Sequence, residues 1–371
     1  MMRLSRTERG LLARWWWTVD HGLLAGLGLL ALSGLVFVLA SSPAVAARLG
    51  LPSLHFVGRH LLFLVPAALL LLGCSLLSPK GVRRVAICLL GSSLVMIVLT
   101  LLIGPETKGA QRWLPIAGLV FQPSEFVKPA VVVVVAALLA RAPGLTNAMP
   151  AVLLTGVVVL LLLAQPDVGM ALMVGALLAV QLFVAGLPWL FVVALVGAAG
   201  LAVWQAYLFF PHVAERIDRF LDPTTGDHYQ VGLALEAVRG AAWFGSGPGE
   251  GRVKYVLPDA HSDFVFAVIA EEFGLIACLA LLGLFGYVVL RGLQRTEAMA
   301  DRFSLLAATG LIVHFGLQAI ANLGVNLSLL PAKGMTLPFI SYGGSSLCAL
   351  ALGMGLFLAL TRRRPSTEVM A

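Results

Sequence analysis

The chain has 371 residues, 60% of them apolar and only 12% charged, with a formal net charge of +7. Soluble domains carry about 25% charge, so a soluble globular protein is excluded, and with it the estimate of one domain per ~150 residues. Apolar runs long enough to cross about 30 Å of hydrocarbon recur throughout, so we read one all-α polytopic integral membrane domain over residues 1–371.

Residues 1–20 form a basic tail ending in "RWWWT", an interfacial aromatic belt with basic residues on the inner side. Ten spans follow, at about 21–41, 57–78, 85–104, 122–140, 148–165, 168–187, 189–210, 263–290, 303–326 and 341–361. The "SPAVAA" after the first resembles a cleavage site. The apolar run before it is longer than the ~7–15 residues of a signal-peptide core, so the span reads as a retained anchor.

Short loops carrying Lys80, Arg83, Arg84, Arg291, Arg295 and Arg302, and the tail 362–371 with Arg362, Arg363 and Arg364, are almost purely basic. The opposite loops are mixed in sign. That asymmetry, with an even number of spans, places both termini inside. A large extracytoplasmic loop, 211–262, then lies between helices 7 and 8, with an amphipathic "HVAERIDRFLDP" and a glycine-rich "GSGPGEG". In such a protein the positive charge is a topology signal, and no nucleic-acid partner is expected. Cys74, Cys88, Cys278 and Cys348 fall in apolar runs without CxxC spacing, as buried small hydrophobes do.

The informative residues are polar groups in or beside hydrocarbon, which are costly there. Glu125 and Lys128 in "FQPSEFVKPA" are three apart and pair on one helical flank, either as a structural lock or lining a wet cavity. Asp167 in "QPDVGM" ends one run and caps the next, unless it is functional. His314, Gln318, Asn322 and Asn326 recur every four residues on one helical face. "PAKGMTLPFISYGGSS" (331–346) is interrupted backbone, tolerated at membrane depth only when buried in protein or lining a cavity. Its serines, exposed amides and Lys333 suit an anionic ligand such as a phosphate.

"LPDAHSDFVFAVIAEEFG" (257–274) concentrates Asp259, His261, Asp263, Glu271 and Glu272 where the long loop enters the eighth span. On a helix, Glu271 lies roughly 12 Å deeper than Asp263 and about 80° round. From spacing alone Asp263 reads as an N-cap. Glu271 and Glu272 need polar partners, for which Lys128, Lys333 and Arg112 are the candidates.

Together "RWLPIAG", "FQPSEFVKP", "LPDAHSDFVFAVIAEEFG" and "PAKGMTLPFISYGGSS", in this order and with this layout, resemble the SEDS family of bacterial shape, elongation, division and sporulation proteins. The basic tail, "WWWTVDHGLL" and the fourth motif are more similar to the division-type branch than to the elongation-type branch. The resemblance implies a peptidoglycan glycosyltransferase polymerising lipid II at the outer face of the bacterial cytoplasmic (inner) membrane, at the division septum. Implied partners are a class B penicillin-binding protein (the crosslinking transpeptidase), other divisome proteins and membrane lipid.

The family's essential aspartate matches Asp263. Asp259 stands where members commonly carry Glu and is not given that role. Asp263 would act as general base on the acceptor 4-hydroxyl as it attacks the anomeric carbon of the lipid-diphosphate donor. An α-linked donor and β-linked product imply one inverting displacement. Arg112, Lys128 and Lys333 are the cations for the departing diphosphate, with or without a divalent cation (Mg or Mn). Glu125, His261, Ser262, Ser341, Gly343, Gly344 and Ser345 complete the expected substrate site. The competing readings are a lipid II flippase, which would need polar access from both faces, and a non-catalytic division scaffold, which would not need Asp263.

Overall fold

A computed structural model describes residues 10–106, 110–116, 118–141, 144–209, 214, 218, 226–330 and 334–363. Each of the ten apolar runs forms a helix, and several begin where a short polar side chain satisfies a free amide. After an amphipathic α1 (Leu11–Thr18) come α2 (His21–Arg48), α3 (His55–Ser75) and α4 (Pro79–Ile103). Asp20 accepts from Leu23 N, and Ser78 accepts from Gly81 N with Pro79 at the first helical position. Strands β1 (Leu114–Ile116) and β2 (Leu119–Phe121) then make an antiparallel hairpin with Leu114 opposite Phe121. The segment between α4 and α5 therefore carries a small two-stranded sheet.

Next come α5 (Pro123–Leu139), α6 (Leu145–Ala164), α7 (Val168–Val184) and α8 (Trp189–Phe209). The long loop contains α9 (Gly226–Arg239) and the short α10 (Val253–Val256). Its "HVAERIDRFLDP" stretch lies outside the described residues save for Ala214 and Asp218. The bundle closes with α11 (Val265–Glu297), α12 (Arg302–Asn326) and α13 (Gly344–Thr361).

Seven of the described helices are long and apolar enough to cross a membrane, with two shorter apolar ones in α6 and α7. α5, with 17 residues, is shorter than those spans and carries Glu125 and Lys128, yet it is buried along nearly its whole length. With α12 and α13 it forms the centre of the bundle, while α8 lies at the periphery with large apolar side chains exposed. Small residues let the backbones approach: a Cβ on Gly355 of α13 would lie 2.6 Å from Leu71 O of α3.

Two expectations are corrected. Cys88 is exposed on the outside of the bundle and Cys74 is only half-buried, whereas Cys278 and Cys348 are buried; all four are free thiols. The eighth span is not one continuous helix, because Gly274 takes φ 78° and ψ −178°, a conformation open to glycine. There the chain meets the long loop, and a Cβ on Gly274 would lie 2.5 Å from Trp243 O. Leu275 N and Ile276 N donate to the carbonyls of Ala242 and Trp243 instead of continuing the helical ladder.

Candidate functional site

Asp263 lies in the turn that feeds α11. Asp259 adopts a left-handed φ of 54°, which turns its carbonyl to receive Ser262 N (3.0 Å) and Asp263 N (3.1 Å). The cap position of α11 falls on Phe264, with no side-chain cap bond, so Asp263 is not the N-cap that spacing favoured. Its carboxylate points toward the segment after α12: a Cβ on Gly334, which has φ 64°, would be 3.7 Å from Asp263 Oδ2.

Two buried asparagines of α12 fix the aspartate's backbone. Asn322 Nδ2 and Asn326 Nδ2 donate to Asp263 O at 2.9 and 3.0 Å. Asn322 Nδ2 also reaches Met335 O (2.7 Å), and Asn326 Oδ1 accepts from Ala267 N (3.1 Å). One helical face thus ties the 263 turn, the start of α11 and the 334–341 segment together. Asn322→Ala leaves two buried carbonyls without that donor. We expect a loss of about 2 kcal/mol in stability, read as a lower melting temperature in detergent, together with slower turnover. An unchanged melting temperature would contradict the clamp.

A second constellation lies below it. Lys128 Nζ contacts Glu125 Oε2 at 2.9 Å and donates to Gln318 Oε1 at 2.8 Å, with Lys128 only 1% exposed. Gln318 Nε2 donates to Thr336 O (3.3 Å) and Ser346 Oγ (3.2 Å), and the hydroxyls of Thr336 and Ser346 are 2.7 Å apart. Asp167 caps α7 by accepting from Met170 N, as its position implied. Arg112 faces Asp167 at 3.7 Å and donates to the carbonyls of Gln165 and Pro166, satisfying the end of α6.

The other expected site residues divide by environment. Ser345 Oγ accepts from Gln122 N (3.0 Å), joining α13 to the hairpin. Ser341 Oγ is buried and accepts from Leu337 N (2.8 Å). Gly343 and Gly344 open α13 in close contact, since a Cβ on Gly344 would lie 2.6 Å from the Phe63 ring. Ser262 Oγ donates to Asp259 O at 3.2 Å. Lys333 lies outside the described residues.

His261 is buried against Phe56 and Tyr342, with ring centroids 4.5 and 5.1 Å away, and its carbonyl accepts from Tyr342 N. Burial pushes its pKa down to about 4, with Asp259 opposing and Arg48 reinforcing the shift. The unfolded imidazole, near 6.5, binds more protons between these values. Stability is therefore complete above about pH 6.5 and falls as the pH drops toward 4. His261→Phe, which keeps the stack, should flatten the melting-temperature profile across that window.

Glu271 and Glu272 do not pair with Lys128 or Arg112. Lys128 is engaged by Glu125 three residues away, and Arg112 by the end of α6. Glu272 Oε1 instead meets Lys254 Nζ of α10 at 2.6 Å, both side chains almost fully buried, and Glu272 Oε2 accepts from Gly249 N. Glu271 accepts from Arg252 N and Val253 N at 2.8 and 3.0 Å. Sequence reading missed this fastening, whose signal was Lys254 and the glycines of "GSGPGEGR" together. Among the described residues no group of three or more His, Cys, Asp or Glu comes together.

A helical membrane bundle with one carboxylate clamped at a loop junction, over a buried ionic network, defines a polytopic membrane protein with a polar site at one end. The model of the "Cell cycle protein" family of FtsW, RodA and SpoVE matches residues 21–365, and the chain belongs to that family, the SEDS proteins. It is 44% identical to the probable peptidoglycan glycosyltransferase FtsW of Caulobacter vibrioides, over 97% of this chain and 94% of that protein. It is 38% identical to the protein of the same name from Hydrogenovibrio crunogenus, over 92% and 91%.

Among solved structures it is similar to a chain of a peptidoglycan synthase complex described as coordinating polymerization and crosslinking (TM-score 0.79, 32% identity, 93% of this chain and 98% of that one). The rod shape determining protein RodA of Thermus thermophilus gives a TM-score of 0.70 at 32% identity, over 93% and 97%.

Proposed function

We propose that this chain is a peptidoglycan glycosyltransferase of the division type, polymerising lipid II at the outer face of the bacterial inner membrane. The relatives' names support the activity. The observation that carries the site is the clamp of Asn322 and Asn326 on Asp263, beside Gly334. A base must be held within hydrogen-bond reach of the proton it takes, and here the backbone bearing it is fixed by two buried amides.

In this reading the Asp263 carboxylate takes the proton from the acceptor sugar 4-hydroxyl as that oxygen bonds to the anomeric carbon. The bond from that carbon to the polyprenyl diphosphate breaks, with inversion. Lys128 is enclosed by Glu125 and Gln318, and Arg112 by carbonyls and Asp167, so both act by ordering the site. Lys333, next in sequence to Gly334, takes the diphosphate charge. Both termini lie inside, and the partner is a class B penicillin-binding protein at the septum.

The test is lipid II polymerisation by the purified protein with its transpeptidase partner, comparing wild type with Asp263→Asn. If neither protein polymerises, while lipid II crosses liposomes in a protein-dependent way, the flippase reading replaces this one. If both polymerise equally, Asp263 is not the base.

A further inference from the structure

At the far end of the bundle from Asp263, the start of α4, the end of α5 and the start of α12 enclose a cavity of about 320 Å³. Arg302 and Asn322 are both on α12, so the cavity is about 30 Å from the asparagine that holds Asp263, close to one hydrocarbon thickness. It does not belong to the site described above.

Three arginines, Arg83, Arg141 and Arg302, line it, and none makes an ion pair with any described residue. The single lining carboxylate, Asp301, is engaged as the cap of α12, accepting from Ser304 N (3.0 Å) and Ser304 Oγ (2.6 Å). Arg302 is anchored by donating to Ala185 O at 2.9 Å, yet its Nε is buried with no hydrogen-bond partner. A buried guanidinium N–H without an acceptor is costly, which points to an acceptor supplied from outside the chain. Arg83 Cζ sits over the Phe303 ring, 4.3 Å from its centroid, a contact that uses the face of a guanidinium and not its N–H donors. Ile87, Val134 and Leu138 make an apolar wall beside these cations.

We propose that this cavity binds the phosphodiester headgroup of an anionic membrane phospholipid, with an acyl chain along Ile87, Val134 and Leu138. Phosphate oxygens would complete Arg302 Nε and meet Arg83 and Arg141, as basic pockets between membrane helices do for acidic lipids. The apolar wall favours a lipid over a free phosphate ester, which would leave it bare. A lipid seated there would brace α4, α5 and α12, two of which carry Lys128 and Asn322.

The full-length protein in neutral detergent is titrated with phosphatidylglycerol, phosphatidylcholine or glycerol 3-phosphate, and bound adducts are counted by native mass spectrometry. Phosphatidylglycerol should form a one-to-one adduct at concentrations where the other two do not. Each arginine removed should weaken it about fivefold, so that R83Q/R141Q weakens it about twenty-fivefold. If the double variant unfolds, Arg141→Gln alone, at an exposed position, carries the test through its fivefold change. Equal binding of phosphatidylcholine, or unchanged affinity in the variants, would overturn the proposal. Glycerol 3-phosphate binding as tightly as the lipid would overturn the lipid as its source.

Discussion

Asp263→Asn is expected to abolish glycan polymerisation while leaving the protein folded and bound to its partner. Asparagine keeps the size of the side chain, and the bonds from Asn322 and Asn326 go to the main-chain carbonyl of residue 263, which the substitution does not touch. Asp259 O likewise accepts from main-chain amides and from Ser262 Oγ, which the substitution leaves in place. What is lost is the ability to take a proton, worth about 10²–10⁴-fold in rate. The loss should appear in kcat, with lipid II binding nearly unchanged, because the group acts as the 4-hydroxyl ionises. A fall in melting temperature matching the fall in rate would assign Asp263 a structural role instead.

Much of this site was legible along the chain, because its elements are local. Glu125 and Lys128 are three residues apart on one helix, so their pairing follows from helical periodicity alone. Asp167 precedes an apolar run and caps it, and the four-residue recurrence of Gln318, Asn322 and Asn326 predicts a shared face. The partners across that face were not legible. Nothing in sequence says that Asn322 spans Asp263 O and Met335 O, since those contacts depend on how three separate segments pack.

The hairpin at 114–121 escaped notice because three-residue strands leave no alternating pattern to read. Gly274 was hidden inside an apolar run, where a helix is the natural reading and only the approach of Gly245 explains the break. Asp263 itself illustrates the limit: its position before an apolar helix makes a cap plausible, and only the fold turns the carboxylate toward Gly334.

The ion pair of Lys254 and Glu272 is where the long loop between α8 and α11 is fastened to the helix that Asp263 introduces. Lys254 Nζ also donates to Gly249 O at 2.7 Å, and Glu272 Oε2 accepts from Gly249 N at 2.8 Å, so one glycine is held from both sides. Both charges are withdrawn from solvent, with side-chain exposures of 3% and 0%. Removing one partner of a buried pair strands the other charge and costs about 3–5 kcal/mol, whereas replacing both with apolar groups of similar volume costs little.

Glu272→Leu is therefore expected to lower the melting temperature sharply, and Lys254→Met/Glu272→Leu to recover most of it, short of the Gly249 N–H left without its acceptor. A loss under about 1 kcal/mol in the single variant would place the pair with exposed ones and remove its structural role. The double variant separates stability from function. If it folds but polymerises poorly, the polar fastening of residues 249–254 to Glu271 and Glu272 is needed to hold the Asp263 turn, eight residues upstream of Glu271, in its working geometry.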